Sequence, residues 1–166
     1  MNKKIVIAII CVCVLVLTVG LGLYMRQVQT AAEVKGGLTL EIDGKSATIP
    51  LTKLDQTAFE GETVNGKGDR STHAYRGVEL KNLLADQKMD VSAVKAVVAS
   101  SADQYTAELT GDELREDGRV YVVVEMDGEK LNGIDAGTQG AQLVVFGDQN
   151  SRRNVRFLSI IQISTK

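Results

Sequence analysis

Cysteine is nearly absent from this chain, and its placement matters more than its count. Cys11 and Cys13 both sit inside an N-terminal apolar run, and no cysteine occurs from Val14 onward. Two apart on a helix, they do not face each other and do not bridge. The rest of the chain therefore has no disulfide, no thiol nucleophile and no thiolate metal ligand. Histidine is rarer still, since His73 stands alone. A nucleophilic triad would have to use it, yet no Gly-x-Ser-x-Gly elbow accompanies it. With one histidine only oxygen donors remain for a metal, and no Asp-x-Asp-x-Asp-Gly loop gathers them, so no metal is expected. Tryptophan is missing, proline occurs once and aromatic residues make up 4%, which leaves a mostly aliphatic core.

A basic excess is missing too. Lys3, Lys4 and Arg26 are the only charged residues before Glu33, and without them sixteen basic side chains face twenty-one acidic ones, a net of −5. That balance offers nucleic acid no electrostatic footprint and is not drawn to anionic lipid. Neither an internal repeat nor a low-complexity segment is present.

What is present begins at the N-terminus. After Met1-Asn2-Lys3-Lys4, residues Ile5–Leu23 carry no charge and only Thr18, Gly20 and Gly22 interrupt the apolar side chains. As a helix they would reach about 28 Å, close to the hydrocarbon thickness of a bilayer. A signal-peptide core is usually shorter. Tyr24 suits the interface, and the lysines ahead of the run orient the N-terminus inside, although Arg26 weakens that asymmetry. The expectation is one transmembrane helix as anchor over residues 1–26, a linker over 27–37 and an extracytoplasmic domain over 38–166. The rival is cleavage after Ala32, with Thr30 and Ala32 at the small-residue positions, which would secrete the domain. A lipoprotein would need a small residue where Ile10 and Val12 precede the cysteines.

The domain reads as α+β, mixed β-sheets with short helices. Leu38, Leu40 and Ile42 alternate with polar residues, Asp43-Gly44 turns, and Ala47 and Ile49 return, which predicts a hairpin. Leu51–Gln56 allows a helical turn, Thr57–Val64 and Ser71–Tyr75 read as strands around the 65–69 loop, and Val94–Ala99 and Tyr105–Leu109 as two more. Leu80, Leu83 and Leu84 form the stripe of a short helix, with Gly77 as its N-cap and Glu79 in its first turn. Thr110 and Glu113 have capping-box spacing, with Leu109 and Leu114 placed as a hydrophobic staple. Val120–Met126 predicts a strand buried on both faces, turned by Asp127-Gly128. Gln142–Phe146 and Asn154–Ile163 supply the last strands.

Few residues carry an obvious chemistry. Gly66-Lys67-Gly68 and Gly137-Thr138-Gln139-Gly140 lack the spacing of a dinucleotide or phosphate loop and read as turns. Arg152, Arg153 and Arg156 make a cationic cluster suited to an anion or to a solvated strand edge. Asp112, Glu113, Glu116 and Asp117 read as a helix surface, and no carboxylate pair stands out as acid and base.

Four segments occur in an order that resembles the oxidoreductase molybdopterin-binding domain family, which has the sulfite-oxidase-like fold. Tyr75-Arg76-Gly77-Val78-x-Leu80-x-x-Leu83-Leu84 is similar to its aromatic-x-Gly-Val-x-Leu-x-x-Leu-Leu segment, and Ser101-Ala102-Asp103-Gln104-Tyr105 to its Ser-x-Asp-Gly-Tyr turn. Glu125-Met126-Asp127-Gly128-Glu129-Lys130-Leu131 resembles its Glu-Met-Asn-Gly-x-x-Leu hairpin. Val155-Arg156-Phe157-Leu158 with Ile161-Gln162-Ile163 resembles its closing Val-Lys-Trp-Leu…Ile-x-Val strand. The resemblance covers residues 38–163 and implies that loops 65–74, 101–105, 138–142 and 150–154 converge on one cleft, with His73, Tyr105, Gln142 and Arg153 as candidate lining.

The family ligates molybdenum through a cysteine ahead of the aromatic-Gly-Val segment, whereas Phe59–Ala74 contains none. Its Pro-Leu-Arg becomes Gly140-Ala141-Gln142, and its Trp becomes Phe157. The expected function is accordingly a non-catalytic module that binds a small anion or an extracytoplasmic protein, with no cofactor. The alternative is a molybdopterin-dependent oxidoreductase without a protein thiolate.

The anchor is testable directly. Membranes bearing the full chain, washed with alkaline carbonate, should retain it in the pellet, and release of the intact chain into the supernatant would rule out a spanning helix.

Overall fold

The computed structural model describes residues 37–135, 137–149 and 151–166. The expected N-terminal span lies outside the described residues, and among these no helix is long and apolar enough to cross a membrane. The described residues are α+β, with one mixed sheet, one antiparallel sheet and two short helices.

β1 (Gly37–Ile42) and β2 (Lys45–Pro50) form the expected hairpin. Its turn uses Asp43 (φ 46°) and Gly44 (φ 84°), the pair of left-handed residues that a two-residue connection needs to match strand twist. After a 3-10 turn at Leu51–Lys53 come β3 (Thr57–Val64), β4 (Arg70–Glu79) and α1 (Leu80–Asp86). A second 3-10 turn, Val91–Ala93, precedes β5 (Ala96–Ser101), β6 (Thr106–Thr110) and α2 (Gly111–Arg115). β7 (Val120–Met126), β8 (Glu129–Lys130), β9 (Gln142–Val145), a 3-10 turn at Ser151–Arg153 and β10 (Leu158–Ser164) complete the order.

The first sheet runs β2-β1-β10-β5-β6, with β1 and β10 parallel and the rest antiparallel. The second runs β3-β4-β7, and β8 and β9 share the far edge of β7. Leu38 and Leu40 of β1, Leu80 and Leu84 of α1, Ile161 of β10 and Val122 and Val124 of β7 belong to one aliphatic core. The opposite face of the second sheet carries a separate aromatic cluster, in which Phe59, Tyr75, Tyr121 and Phe146 pack around Val123 and Val144. Ring centroids there lie 4.2 Å apart for Phe59 and Tyr121 and 5.6 Å for Tyr75 and Phe146. Alternate residues of β7 thus enter different cores, which is why its apolar run is continuous.

The capping box is present. The Glu113 N–H donates to Thr110 Oγ1 at 3.2 Å, and the Thr110 N–H donates to Glu113 Oε2 at 2.9 Å. The expectation for Gly77 needs correction. Gly77 is not a cap; it lies within β4, paired with Thr57 and Val123. α1 begins at Leu80 with Glu79 at the N-cap position, where its carboxylate makes no capping bond. Glu79 instead accepts from the Gly118 N–H at 2.6 Å and pairs with Lys81 at 3.2 Å. The register between β4 and β7 shifts between Arg76 and Gly77, and the strands close up there. A Cβ on Gly77 would stand 2.3 Å from the Val122 carbonyl oxygen and 2.7 Å from the Val123 Cα. The last strand also starts later than its apolar pattern suggests, because Ser151–Arg153 curls into a 3-10 turn and Phe157 takes φ 51°.

Those contacts predict a contrast between glycines. Gly77→Ala should cost about 2–3 kcal/mol in urea unfolding, because strand backbone cannot give way. Gly66→Ala, with open space around it, should stay within about 0.5 kcal/mol of the parent. Equal effects at the two positions would remove the close approach as the reason for glycine at 77.

Candidate functional site

The site starts from a clamp at the end of β7. Asp127 (φ 54°) begins the turn into β8, and its N–H donates to the Ala74 carbonyl at 2.7 Å. Its carboxylate accepts from the Ala74 N–H at 3.0 Å and lies 2.7 Å from His73 Nδ1. The hydrogen bond with His73, followed by that from Ala74, holds the Asp127 carboxyl below its ordinary range. With Nδ1 engaged, Nε2 is the ring nitrogen left to a ligand. Tyr75, two residues along the same face of β4, sets its ring 6.0 Å from that of His73. Burial pushes the Tyr75 phenol up, and the Thr63 hydroxyl offsets part of that rise.

His73 and Tyr75, with Thr63, line a cleft of about 590 Å³. Met126, Lys130 and Leu131 approach from the β7–β8 hairpin, Ala141 and Gln142 from the start of β9, and Asn154, Arg156 and Phe157 from the segment before β10. Its lining contains no carboxylate. Lys130 and Arg156 have no carboxylate partner among the described residues, and the Arg156 guanidinium lies 5.5 Å from the centre of the Phe157 ring. The Asn154 Oδ1 is committed to the Val145 N–H at 2.9 Å, whereas Gln142 and Asn132 have no side-chain hydrogen bond among the described residues. Polar and cationic side chains therefore share one opening with apolar ones, an arrangement suited to an oriented anion.

Of the four residues named from the sequence, His73 and Gln142 line this cleft and Tyr105 and Arg153 do not. The Tyr105 hydroxyl donates to the Arg152 carbonyl at the surface. Arg153 is spent on carboxylates, with Nε 2.8 Å from Asp148 Oδ2 and Nη1 2.7 Å from Glu113 Oε1, and it borders a different groove beside Lys95 and Thr110. The hydrogen bond to Asp148 leads the causes that raise its pKa. Glu113 is accordingly more than helix surface. Burial works against its ionisation, but the Thr110 amide and Arg153 outweigh burial and leave its pKa low. The arginine cluster thus divides, with Arg156 at the cleft and Arg153 paired away from it. The loop at 101–105 stays outside, while 126–133 enters unannounced. Tyr75 was within reach of sequence reasoning through its two-residue spacing from His73. Lys130 and Phe157 carried no such signal.

The family model described as oxidoreductase molybdopterin binding domain matches residues 26–166. Among solved structures, the sulfane dehydrogenase SoxCD from Paracoccus pantotrophus is similar, with a TM-score of 0.61 and 18% sequence identity. The likeness covers 78% of this chain and 38% of that one, and at this identity it is a likeness of fold. No curated protein sequence matches the chain.

The clamp predicts an acid limb. A carboxyl whose folded pKa lies below its unfolded value, about 3.9, contributes stability that is present above the unfolded pKa and lost as pH falls through the folded one. Asp127→Asn removes the charge and leaves an oxygen for the Ala74 N–H. Urea unfolding should show the parent's advantage over this variant in full at pH 7 and shrinking below pH ~4. A difference that holds constant down to pH 2 would sink this account of the clamp.

Proposed function

The chain belongs to the oxidoreductase molybdopterin-binding domain family, and on that premise we propose that this member is a non-catalytic, membrane-tethered extracytoplasmic module that binds a small anion. The observation that carries the reading is the cleft itself, where Lys130 and Arg156 stand without carboxylates in a domain of net negative charge. An acidic surface around a cationic opening repels anions at a distance and concentrates selectivity in the opening. The uncharged run Ile5–Leu23 supports the tether, and the lysines ahead of it support the orientation.

The donor set does not fit a thiolate-held molybdenum. The interval Phe59–Ala74 has no cysteine, and among the described residues no group of three His, Cys, Asp or Glu side chains stands together. His73, the one imidazole in that interval, has Nδ1 engaged by Asp127 and offers a single nitrogen, Nε2, where the family uses a thiolate. Where the resemblance implies an arginine, Gln142 offers only an amide. Gly140, at the start of that segment, is held by a backbone approach, since a Cβ there would stand 2.2 Å from the Asn132 carbonyl oxygen. The second reading, a molybdopterin-dependent oxidoreductase without a protein thiolate, draws on the family match alone.

Two measurements on the full chain, purified in detergent from a molybdate-supplied native host, decide between them. Elemental analysis should find no stoichiometric molybdenum, and denaturation should release no pterin fluorescence. Titration with simple anions should show binding that falls about three- to tenfold when Lys130 or Arg156 is changed to Gln, the scale of one exposed charge-assisted contact. Stoichiometric molybdenum would overturn the non-catalytic reading, and anion affinity indifferent to both variants would overturn the assignment of the cleft.

A further inference from the structure

Phe157 is the strangest residue of the cleft. A bulky side chain at φ 51° sits where glycine or asparagine would be comfortable. The neighbouring chain imposes that conformation, because the Phe157 carbonyl accepts from the Ala102 N–H at 2.9 Å and the following Leu158 N–H donates to the Ala141 carbonyl at 2.9 Å. Backbone strain held in place by its surroundings gathers at functional sites. Here its effect is to lay the Phe157 ring under the Arg156 guanidinium, at the margin of the opening. A guanidinium stacked on a ring keeps its planar fork free for an incoming acid.

The remaining walls say what is attached to that acid. A cleft of about 590 Å³ falls in the range of organic ligands. An inorganic oxyanion needs only convergent donors, whereas here Tyr75, Met126, Leu131, Ala141 and Phe157 set apolar surface beside the donors. Tyr75 presents a buried ring, and Met126 a thioether that favours aromatic edges. Gln142 and Asn132, whose amides make no hydrogen bond among the described residues, stand ready to fix the orientation of a polar substituent.

We propose that the cleft takes an aromatic organic acid, its carboxylate held by Arg156 and Lys130 and its ring packed against Phe157 and Tyr75. The proposal rests on the anion-binding reading above and adds the body of the ligand to its charge. The ring requirement follows from the apolar side chains of the cleft, and the charge requirement from its two cations, so the two are separable by experiment.

The test titrates the full chain in detergent with 3-phenylpropionate, acetate and sulfate, followed by calorimetry. 3-Phenylpropionate should bind at least tenfold tighter than either acetate or sulfate. Arg156→Gln should weaken it by about tenfold. Phe157→Asn, which suits a left-handed backbone, should keep the melting temperature within a few degrees while bringing 3-phenylpropionate down to the affinity of acetate. Phe157→Leu, which keeps an apolar side chain, provides a second reading should the Asn variant unfold, and should lose at least threefold. Equal affinity for all three anions would overturn the aromatic body and leave anion binding standing. Failure of all three to bind would overturn both.

Discussion

Two-sided burial of β7 is the constraint on which the rest of the domain depends. Val122 and Val124 face the aliphatic core while Tyr121 and Val123 face the aromatic cluster, so the strand needs a layer on each side and a partner on each edge. Each buried Val contributes roughly 1.5–3 kcal/mol relative to exposure, which makes this short strand a large share of what holds the sheet. β4 meets one edge so closely that Gly77 must lack a Cβ, and β8 and β9 divide the other. The aromatic cluster exists because one face of this sheet lies away from the main core and would otherwise remain uncovered. Rings are the economical cover, since each removes a large area from water at the cost of two rotatable bonds.

The cleft follows from how that strand ends. At Met126 the chain must leave β7, and Asp127 makes the turn by binding β4 at three points: its own N–H and both carboxylate oxygens. This fixes His73 at the rim, and period-two geometry puts Tyr75 behind it. The same hairpin projects Lys130, and the 131–140 excursion is drawn closed where the Gly140 N–H donates to the Leu131 carbonyl at 2.8 Å. Ala141 and Gln142 are thereby delivered to the opposite side. The site is a by-product of packing in its position and a product of chemistry only in its side chains.

How much of this the sequence disclosed depends on the range of the interaction responsible. The β1–β2 hairpin, the Thr110–Glu113 box and the two-faced β7 rest on neighbours within a few residues, and all three were legible. Gly77 misled because a glycine before a leucine stripe looks like a cap from either reading direction. Its real reason is a backbone atom of Val122, distant in sequence and invisible to periodicity. His73 and Gln142 could be brought together through the order of family-like segments, since those segments carry the topology. Tyr105 and Arg153 could not be sorted that way, because their partners, the Arg152 carbonyl and the Asp148 and Glu113 carboxylates, are set by local details of the 148–153 turn. The positive φ of Phe157 leaves no trace in composition or spacing at all.

Charge is arranged differently in two parts of this domain. Arg119 and Arg153 meet Glu113 and Asp148 in a half-buried network, so the arginines nearest α2 serve the fold. Glu116 also stands 3.6 Å from Arg119, and the network holds its members because every cation faces a carboxylate. The cleft breaks that rule, for its two cations have no carboxylate partner among the described residues. Leaving like charges unpaired at one opening costs stability through their mutual repulsion, modestly at exposed positions. Neither packing nor the sheet requires Lys130 or Arg156, both of which are exposed. Arg70, Arg76, Arg115, Arg119 and Arg153 are each matched to an acid. The missing counter-charge is what the proposed anion would supply.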